Sequence, residues 1–444
     1  MTSSPRCDVA KLLDDGRWGG YQRALVALTA LTIMIDGADV QLLGVAVPAM
    51  MADWGAARAA FAPVLAGGLA GLMIGGALGG VAGDRFGRRV ALIGTLLIFG
   101  VLTLAVAAVD NLLALGVLRF LAGLGFGGTL PNAAALVSEY VPLRHRPFAV
   151  TLAIVCVPIG GALAAIVAGI ALPAYGWRVL FVVGGLMPLL VAAIMFASLP
   201  ESPRYLARLP ARWPELARLL RRFGHDVPPD ATFVEPERDI GRASLAALFA
   251  ADFRRDTVAL WAAFAFCLLA VYAGFNWVPA MLTGAGLDAG VASAGIAAFN
   301  LGGVAGAIAG ALLISRFGSR TTILGMALAA AASAGVMSTM RIAAGADTFP
   351  IVLMLGVTGG LINGVQITLY ALAAHLYPTA VRATGVGSAA SVGRLGAIAS
   401  TYAGAWTLEA GGTRFFFGLI AATMAVAAAS LASVRRHIPR AGRT

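Results

Sequence analysis

Arg85-Phe86-Gly87-Arg88-Arg89 recurs later in the chain as Arg316-Phe317-Gly318-Ser319-Arg320. In both places a long apolar run leads into the motif and another follows it at once. A second mark recurs in the same order. Glu139-Tyr140-Val141-Pro142 through Arg146 closes one apolar run. His375-Leu376-Tyr377-Pro378 through Arg382 closes another, at nearly the same offset. Two marks repeated in order at one spacing are the trace of a duplication. Paired repeats of apolar helices predict two halves that rock about a solute held near the midplane of a bilayer.

Composition agrees. Of 444 residues 59% are hydrophobic and only 12% charged, and mean hydropathy is +0.87. Soluble domains keep about 25% of their residues charged. Lipid must therefore be the solvent for most of this surface. A spanning helix needs about 20 mostly apolar residues. Twelve such runs are present, near 24–50, 60–82, 89–109, 112–135, 147–171 and 177–199, then 257–281, 289–315, 320–340, 349–375, 383–406 and 412–434. The expected fold is an all-α integral membrane protein of two pseudo-symmetric six-helix bundles, 24–199 and 257–434. Tails at 1–23 and 435–444 flank them. Between them lies a linker, 200–256, with ten arginines and prolines at 210, 214, 228, 229 and 236. It reads as a cytoplasmic segment with short amphipathic helices.

The net charge of +11 is a topology signal rather than a nucleic-acid one. Of 32 Lys and Arg, 26 fall in the N-terminus, every second loop, the linker and the C-terminus. Arg58, Arg178, Arg341 and Arg414 lie in the other loops, and Arg119 and Arg394 inside helices. By the positive-inside rule both termini are cytoplasmic. The first apolar run is too long for a signal-peptide core and contains acids, so it reads as an uncleaved helix. Three cysteines, Cys7, Cys156 and Cys267, give neither a disulfide framework nor a metal spacing. The near-exclusive use of Arg over Lys suits a GC-rich bacterial genome, hence an inner membrane.

Charged groups inside spans are costly and are functional candidates by default. Asp36 and Asp39 are three apart and share one helix face. Two close, desolvated carboxylates favour proton binding, which makes them a candidate proton-coupling pair; the competing reading is a structural pair bonded to neighbouring helices. Arg119 lies about 12 Å in from one end of its helix and Asp39 about 16 Å in from the same side, so contact between them is compatible with depth. Arg119 either binds a substrate carboxylate, through two parallel hydrogen bonds, or forms a permanent ion pair. Phe126 shares its face and can stack on a ring. Arg394 is the second half's buried cation, either an alternative carboxylate anchor or a gate.

Asn363, Gln366 and Tyr370 follow one face of the tenth span, and the seventh carries Tyr272, Asn276 and Trp277. Amides and aromatics together suit a hydroxylated aromatic acid; interhelical hydrogen bonding is the alternative. Glu139 and His375 occupy repeat-related helix ends, where Glu139 can pair with Arg144 or Arg146 and His375 can titrate. Asp84, Arg85, Arg88 and Arg89 lie too near the surface to reach a midplane solute. They suit a latch on one conformation of the halves, with Asp84 the residue that topology alone does not explain.

With these residues assembled, the chain resembles the major facilitator superfamily. Gly80-Val81-Ala82-Gly83-Asp84-Arg85-Phe86-Gly87-Arg88-Arg89 is similar to its loop signature between helices two and three. Arg119 followed by Gly123, Gly125, Gly127 and Gly128 resembles its fourth-helix motif, and Pro200-Glu201-Ser202-Pro203-Arg204 the motif closing helix six. Within it, the match is to the aromatic acid:proton symporter family. This rests on Asp36-Gly37-Ala38-Asp39, on Leu130-Pro131-Asn132 through Ser138-Glu139, and on Tyr370 through Tyr377-Pro378-Thr379, Arg382-Ala383-Thr384-Gly385 and Gly393-Arg394-Leu395-Gly396. Val157-Pro158-Ile159-Gly160 is similar to members handling hydroxyphenylpropionate-type acids. Ser315 stands where the second loop signature often has an acid. The resemblance implies gating importance for Glu139, His375 and Arg382.

The expected function is import of a small aromatic carboxylate, of benzoate, hydroxybenzoate or hydroxyphenylpropionate type, by proton symport with alternating access. The proton is the coupling ion, no other cofactor is called for, and a monomer suffices. Proton-coupled efflux of drugs or metabolites fits the general motifs equally; the Asp36–Asp39 pair and the 370–396 stretch argue against it. A non-transporting solute sensor lacks a signalling module. An enzyme lacks a Ser/His/Asp set, a His cluster and a nucleotide loop, because the glycine-rich runs lie inside apolar spans.

Overall fold

The computed structural model describes residues 6–228, 231–234, 245–250 and 253–440. Pro229 and Pro236 of the linker lie outside the described residues. Among the described residues are twelve helices long and apolar enough to span a membrane, the last two counted separately across a break. The first half contains α1 Gly20–Trp54, α2 Arg58–Phe86, α3 Arg88–Val106, α4 Leu112–Tyr140, α5 Arg146–Tyr175 and α6 Arg178–Ser198. The second contains α7 Arg254–Gly284, α8 Ala289–Phe317, α9 Ser319–Thr339, α10 Thr348–Leu376, α11 at 379–410 and α12 at 413–433. The last two run on from one another, broken only where Gly411 and Gly412 leave helical geometry, Gly412 at φ +58°.

The helices begin where the sequence supplies caps. Asn111, Asp288 and Asp347 accept hydrogen bonds from Ala114, Val291 and Phe349 amides at 2.8, 2.9 and 3.1 Å, satisfying otherwise orphaned donors. The duplicated motif is a duplicated turn. Gly87 and Gly318 sit at φ +101° and +82°, a region that L side chains avoid, and each reverses the chain between two spans.

Both halves pair their helices alike: α1 with α5, α2 with α4 and α3 with α6, then α7 with α11, α8 with α10 and α9 with the α11–α12 unit. Glycine makes the tightest of these pairings. A methyl at Gly71 or Gly75 of α2 would collide with the carbonyl oxygens of Phe120 or Leu124 of α4. One at Gly302 or Gly306 of α8 would strike those of Gly356 or Gly360 of α10. The glycine-rich runs are thus backbone-to-backbone contacts, the small-residue packing expected where water does not drive association. Leu78, Val81, Leu97, Val101, Leu113 and Ile170 stay exposed and form part of the lipid-facing surface.

The halves meet along α5–α8, α2–α11 and α1–α7. Both tails and the linker gather at one end. There the chain departs from an all-helical plan: β1 Arg6–Asp8 and β2 Thr232–Val234 pair in parallel, tying the N-terminus to the linker. The linker's short helices Pro203–Ala207 and Trp213–Arg222 pack beneath the first half, where Phe223 meets Tyr140 edge-on at 6.0 Å.

Candidate functional site

The acidic pair sits where two backbones touch. A methyl at Gly37, between Asp36 and Asp39, would collide with the Val157 carbonyl of α5. One at Gly160 of α5 would meet that of Met34. This contact fixes the rotation of α1 and with it the directions of both aspartates.

Asp39 is paired. Arg119 Nη1 donates to its Oδ2 at 2.9 Å and Nη2 to its backbone oxygen at 3.2 Å. Thr103 Oγ1 of α3 donates to Oδ1 at 2.9 Å. All three side chains are buried. The Arg119 guanidinium lies 5.5 Å from the centre of the Phe126 ring, which packs against Phe99 at 4.5 Å. A cavity opens beside the pair, lined by Arg119 and Phe126 together with Val40, Leu43, Leu69, Leu72 and Asn276. The Asn276 amide nitrogen is buried without a hydrogen-bond partner. One cation, one aromatic ring, one open amide and an apolar wall therefore face a common space between the halves.

Asp36 is only 6% exposed, and its Oδ1 accepts no hydrogen bond. Asp39 and Arg394 lie within electrostatic reach of it. Arg394, half-buried, crosses from α11 to α2, where Nη1 meets the Leu72 carbonyl at 3.4 Å. Gly76 leaves it room, since a methyl there would sit 2.6 Å from Nη1. Tyr272 and Tyr370 are within reach of the same charge, and Tyr370 stands edge-on to Phe264 at 5.0 Å. Asp36, Arg394, Tyr272 and Tyr370 thus form a second polar cluster. Gln366 is half-buried one turn from Tyr370.

Two expected residues point elsewhere. Trp277 is fully buried and packs against Gly404 of α11 rather than on the cavity. Asn363 donates to the Gly359 carbonyl of its own helix at 2.9 Å and lies on Gly303 of α8.

The loop cluster is knitted within the first half and the start of the linker rather than across the two halves. Asp84 pairs with Arg88. Arg88 also reaches Asn132 at 3.3 Å and Glu139 at 3.8 Å. Glu201 accepts from the Arg89 amide at 3.0 Å. Arg89 donates to the Phe196 carbonyl at 2.6 Å, and Tyr205 binds the Arg85 carbonyl at 3.1 Å. Glu139 therefore faces Arg88 and not the arginines that follow it; Arg146 is taken by Asp14 at 2.5 Å. His375 is exposed in the last turn of α10, and Arg382 Nε donates to the Tyr377 carbonyl at 3.3 Å. Among the described residues no cluster of His, Cys, Asp or Glu is suited to a metal ion.

Sequence reasoning passed over Thr103, Glu201, Gln41 and Asn300. Glu201 had a signal, its place in the helix-six motif. The others are single polar residues in apolar spans, a signal too common to single them out.

The family model for the Major Facilitator Superfamily matches residues 29–401. The chain belongs to the major facilitator superfamily, among its aromatic acid transporters. It is 32% identical over 438 residues to the 4-hydroxybenzoate transporter PcaK of Acinetobacter baylyi, covering 97% of this chain and 94% of that one. It is 32% identical over 436 residues to a gallate transporter of Pseudomonas putida, covering 96% of each. Among solved structures, the inward-open conformation of the xylose transporter XylE from E. coli superposes with a TM-score of 0.73 at 16% identity, over 95% of this chain and 98% of that one. That likeness shows the fold. This superfamily member is a multi-pass transporter and not an enzyme, and its two halves work by alternating access.

Proposed function

We propose that this transporter imports a small aromatic carboxylate by proton symport across a bacterial inner membrane, as a monomer with both termini in the cytoplasm. The observation that carries the reading is Arg119, held by Asp39 yet lining the cavity beside Phe126 and Asn276. While Asp39 is ionised, its own carboxylate occupies the guanidinium. A proton on Asp39 releases Arg119 to a substrate carboxylate, which it can hold through parallel hydrogen bonds. Phe126 then offers a ring face and Asn276 an amide for a ring hydroxyl. Proton and anion favour each other's binding, which is the coupling that symport requires. Asp36 and Arg394 repeat the same logic across the α1–α11 gap. The named substrates of the relatives, 4-hydroxybenzoate and gallate, are aromatic carboxylates of this kind. The arginine-rich loops support that orientation.

The test is uptake of labelled 4-hydroxybenzoate, gallate and benzoate by proteoliposomes with and without an inward proton gradient. Empty liposomes correct for passive entry of protonated acid. Protein-dependent accumulation that vanishes when the gradient collapses supports the reading. Absence of accumulation for every acid, with folded protein, moves the assignment to efflux or to another solute.

A further inference from the structure

Gln41 of α1 and Asn300 of α8 face each other across the two halves. Gln41 Nε2 donates to Asn300 Oδ1 at 2.8 Å, and Asn300 Nδ2 donates to Gln41 Oε1 at 2.7 Å. Both side chains are at most 1% exposed. Among the described residues these are the only hydrogen bonds joining a side chain of one half to a side chain of the other; Arg58 and Arg394 cross only to backbone oxygens. A third helix closes around the pair. A side chain at Gly161 of α5 would run into the Gln41 amide and lie 2.8 Å from Asn300 Oδ1.

The pair's position gives it meaning. Gln41 lies beyond Asp39 along α1, on the side away from the termini. The neighbouring contacts between halves lie on that side too: Gly44 is tight against the Phe275–Asn276 backbone, Gly169 against Ser293, and Arg58 reaches the Ala280 carbonyl. At the tail-bearing end, the loop cluster is tied within one half. The halves are thus drawn together at the end opposite the termini, and the amide pair is the directional bond in that seam. In an apolar interior a separated amide leaves two donors and two acceptors without partners. The alternative partner inside the helix is already engaged, because Asn300 Nδ2 also reaches the Ile296 carbonyl at 2.9 Å.

We propose that Gln41 and Asn300 form a clasp that closes the transport pathway on the side of the midplane away from the termini and must part once in every cycle. The proposal rests on alternating access and not on the identity of the solute. The clasp sets the balance between the two faces: it favours the state closed on that side, and its rupture is a step that substrate binding must overcome. A contact that serves as a fixed pivot would instead persist in both states.

The test pairs a conformational readout with a functional one, in protein whose three cysteines are replaced. Spin labels at Ala108→Cys and Ala344→Cys, exposed positions on that side in opposite halves, report their separation without any substrate. Gln41→Leu with Asn300→Leu removes both hydrogen bonds and leaves no orphaned amide. The ratio of separated to closed populations rises roughly five- to tenfold, the equivalent of 1–1.4 kcal/mol. The exchange Gln41→Asn with Asn300→Gln rebuilds an amide pair and returns the distribution toward the original. Unchanged distances in the leucine pair overturn the clasp. The second readout survives poor folding of that variant. Gln41→Cys and Asn300→Cys, bridged by a short bis-methanethiosulfonate, lose uptake and regain it on reduction. Uptake that continues while the bridge is intact makes the contact a pivot and overturns the proposal. A failed substrate assignment shows as absent uptake before bridging, with the distance measurement unaffected.

Discussion

Asp36 and Asp39, one helical turn apart, are held in opposite circumstances. Asp39 takes three hydrogen bonds, from Arg119 and Thr103, while an oxygen of Asp36 takes none. The two carboxylates should therefore separate in mutagenesis even where both are needed for transport.

Asp39→Asn strands a buried guanidinium. Breaking one side of a buried pair costs about 3–5 kcal/mol, so the thermal midpoint in detergent falls sharply. Asp36→Asn removes a carboxylate with a free oxygen and leaves the midpoint nearly unchanged. Both abolish proton-driven uptake while the protein remains in the membrane. Full uptake by both variants removes the aspartates from the coupling step; equal losses of stability remove the distinction between them.

Thr103→Val keeps the shape of the side chain and deletes its bond to Asp39. Hydrogen bonds to charged groups contribute about 1.5–3 kcal/mol. A loss in that range on unfolding, with gradient-driven uptake reduced, is expected for the valine. Thr103→Ser, which keeps the hydroxyl, should restore both. A valine variant as stable and active as the parent means that Arg119 alone holds Asp39.

The fold was legible because the membrane leaves few choices. Length and hydropathy set the spans, and the repeated Arg85–Arg89 and Arg316–Arg320 turns set the two-fold plan. The depths of Arg119 and Asp39, counted along their helices, match, and the two side chains meet. Rotation was not legible. Which aspartate faces Arg119 depends on how Gly37 seats α1 against Val157, and no count of residues gives that angle. The same blindness hid Thr103, far along α3 from Arg88 and Arg89, and the Gln41–Asn300 pair, whose partners lie in different halves. The sequence pairs Glu139 with its neighbours because proximity along the chain is visible and the approach of Arg88 from another helix is not. Only the two non-helical residues Gly411 and Gly412 carry the chain from α11 to α12. The β1–β2 pairing rests on two three-residue segments too short to show a period.

Gly71→Ala and Gly306→Ala test the repeat. Each places a methyl against a carbonyl of the facing helix, and overpacking costs about 1–3 kcal/mol. Both should lower the thermal midpoint to a similar degree, because they occupy repeat-related pairings. Gly94→Ala and Gly325→Ala, where a methyl meets nothing, are the controls and should be neutral or slightly stabilising. A tolerant Gly71 or Gly306 shows that the helices can part there without loss.

The C-terminal tail supplies a pH-dependent contact. Ser319 and Ile438 exchange hydrogen bonds, Ser319 N to the Ile438 carbonyl at 3.0 Å and Ile438 N to Ser319 Oγ at 2.8 Å. His437 Nδ1 lies 3.3 Å from the same hydroxyl, and its Nε2 lies 3.0 Å from the Val434 carbonyl. Burial holds the His437 imidazole below the ordinary value of 6.5. The bond to Val434 and the charge of Asp256 oppose that shift, while Arg320 and His375 reinforce it. With the docked value depressed, the free tail takes up a proton first as pH falls. Docking is then fully stable above 6.5 and weakens as pH drops from there through the docked value. Hydrogen exchange at the Ile438 amide, corrected for its intrinsic rate, should show protection that declines over the interval below pH 6.5. His437→Gln should flatten that dependence. Protection that is constant across the interval in the parent protein assigns the tail's stability to Ser319 and to the Asp256–Arg435 amide contact at 2.8 Å, with no part for the imidazole.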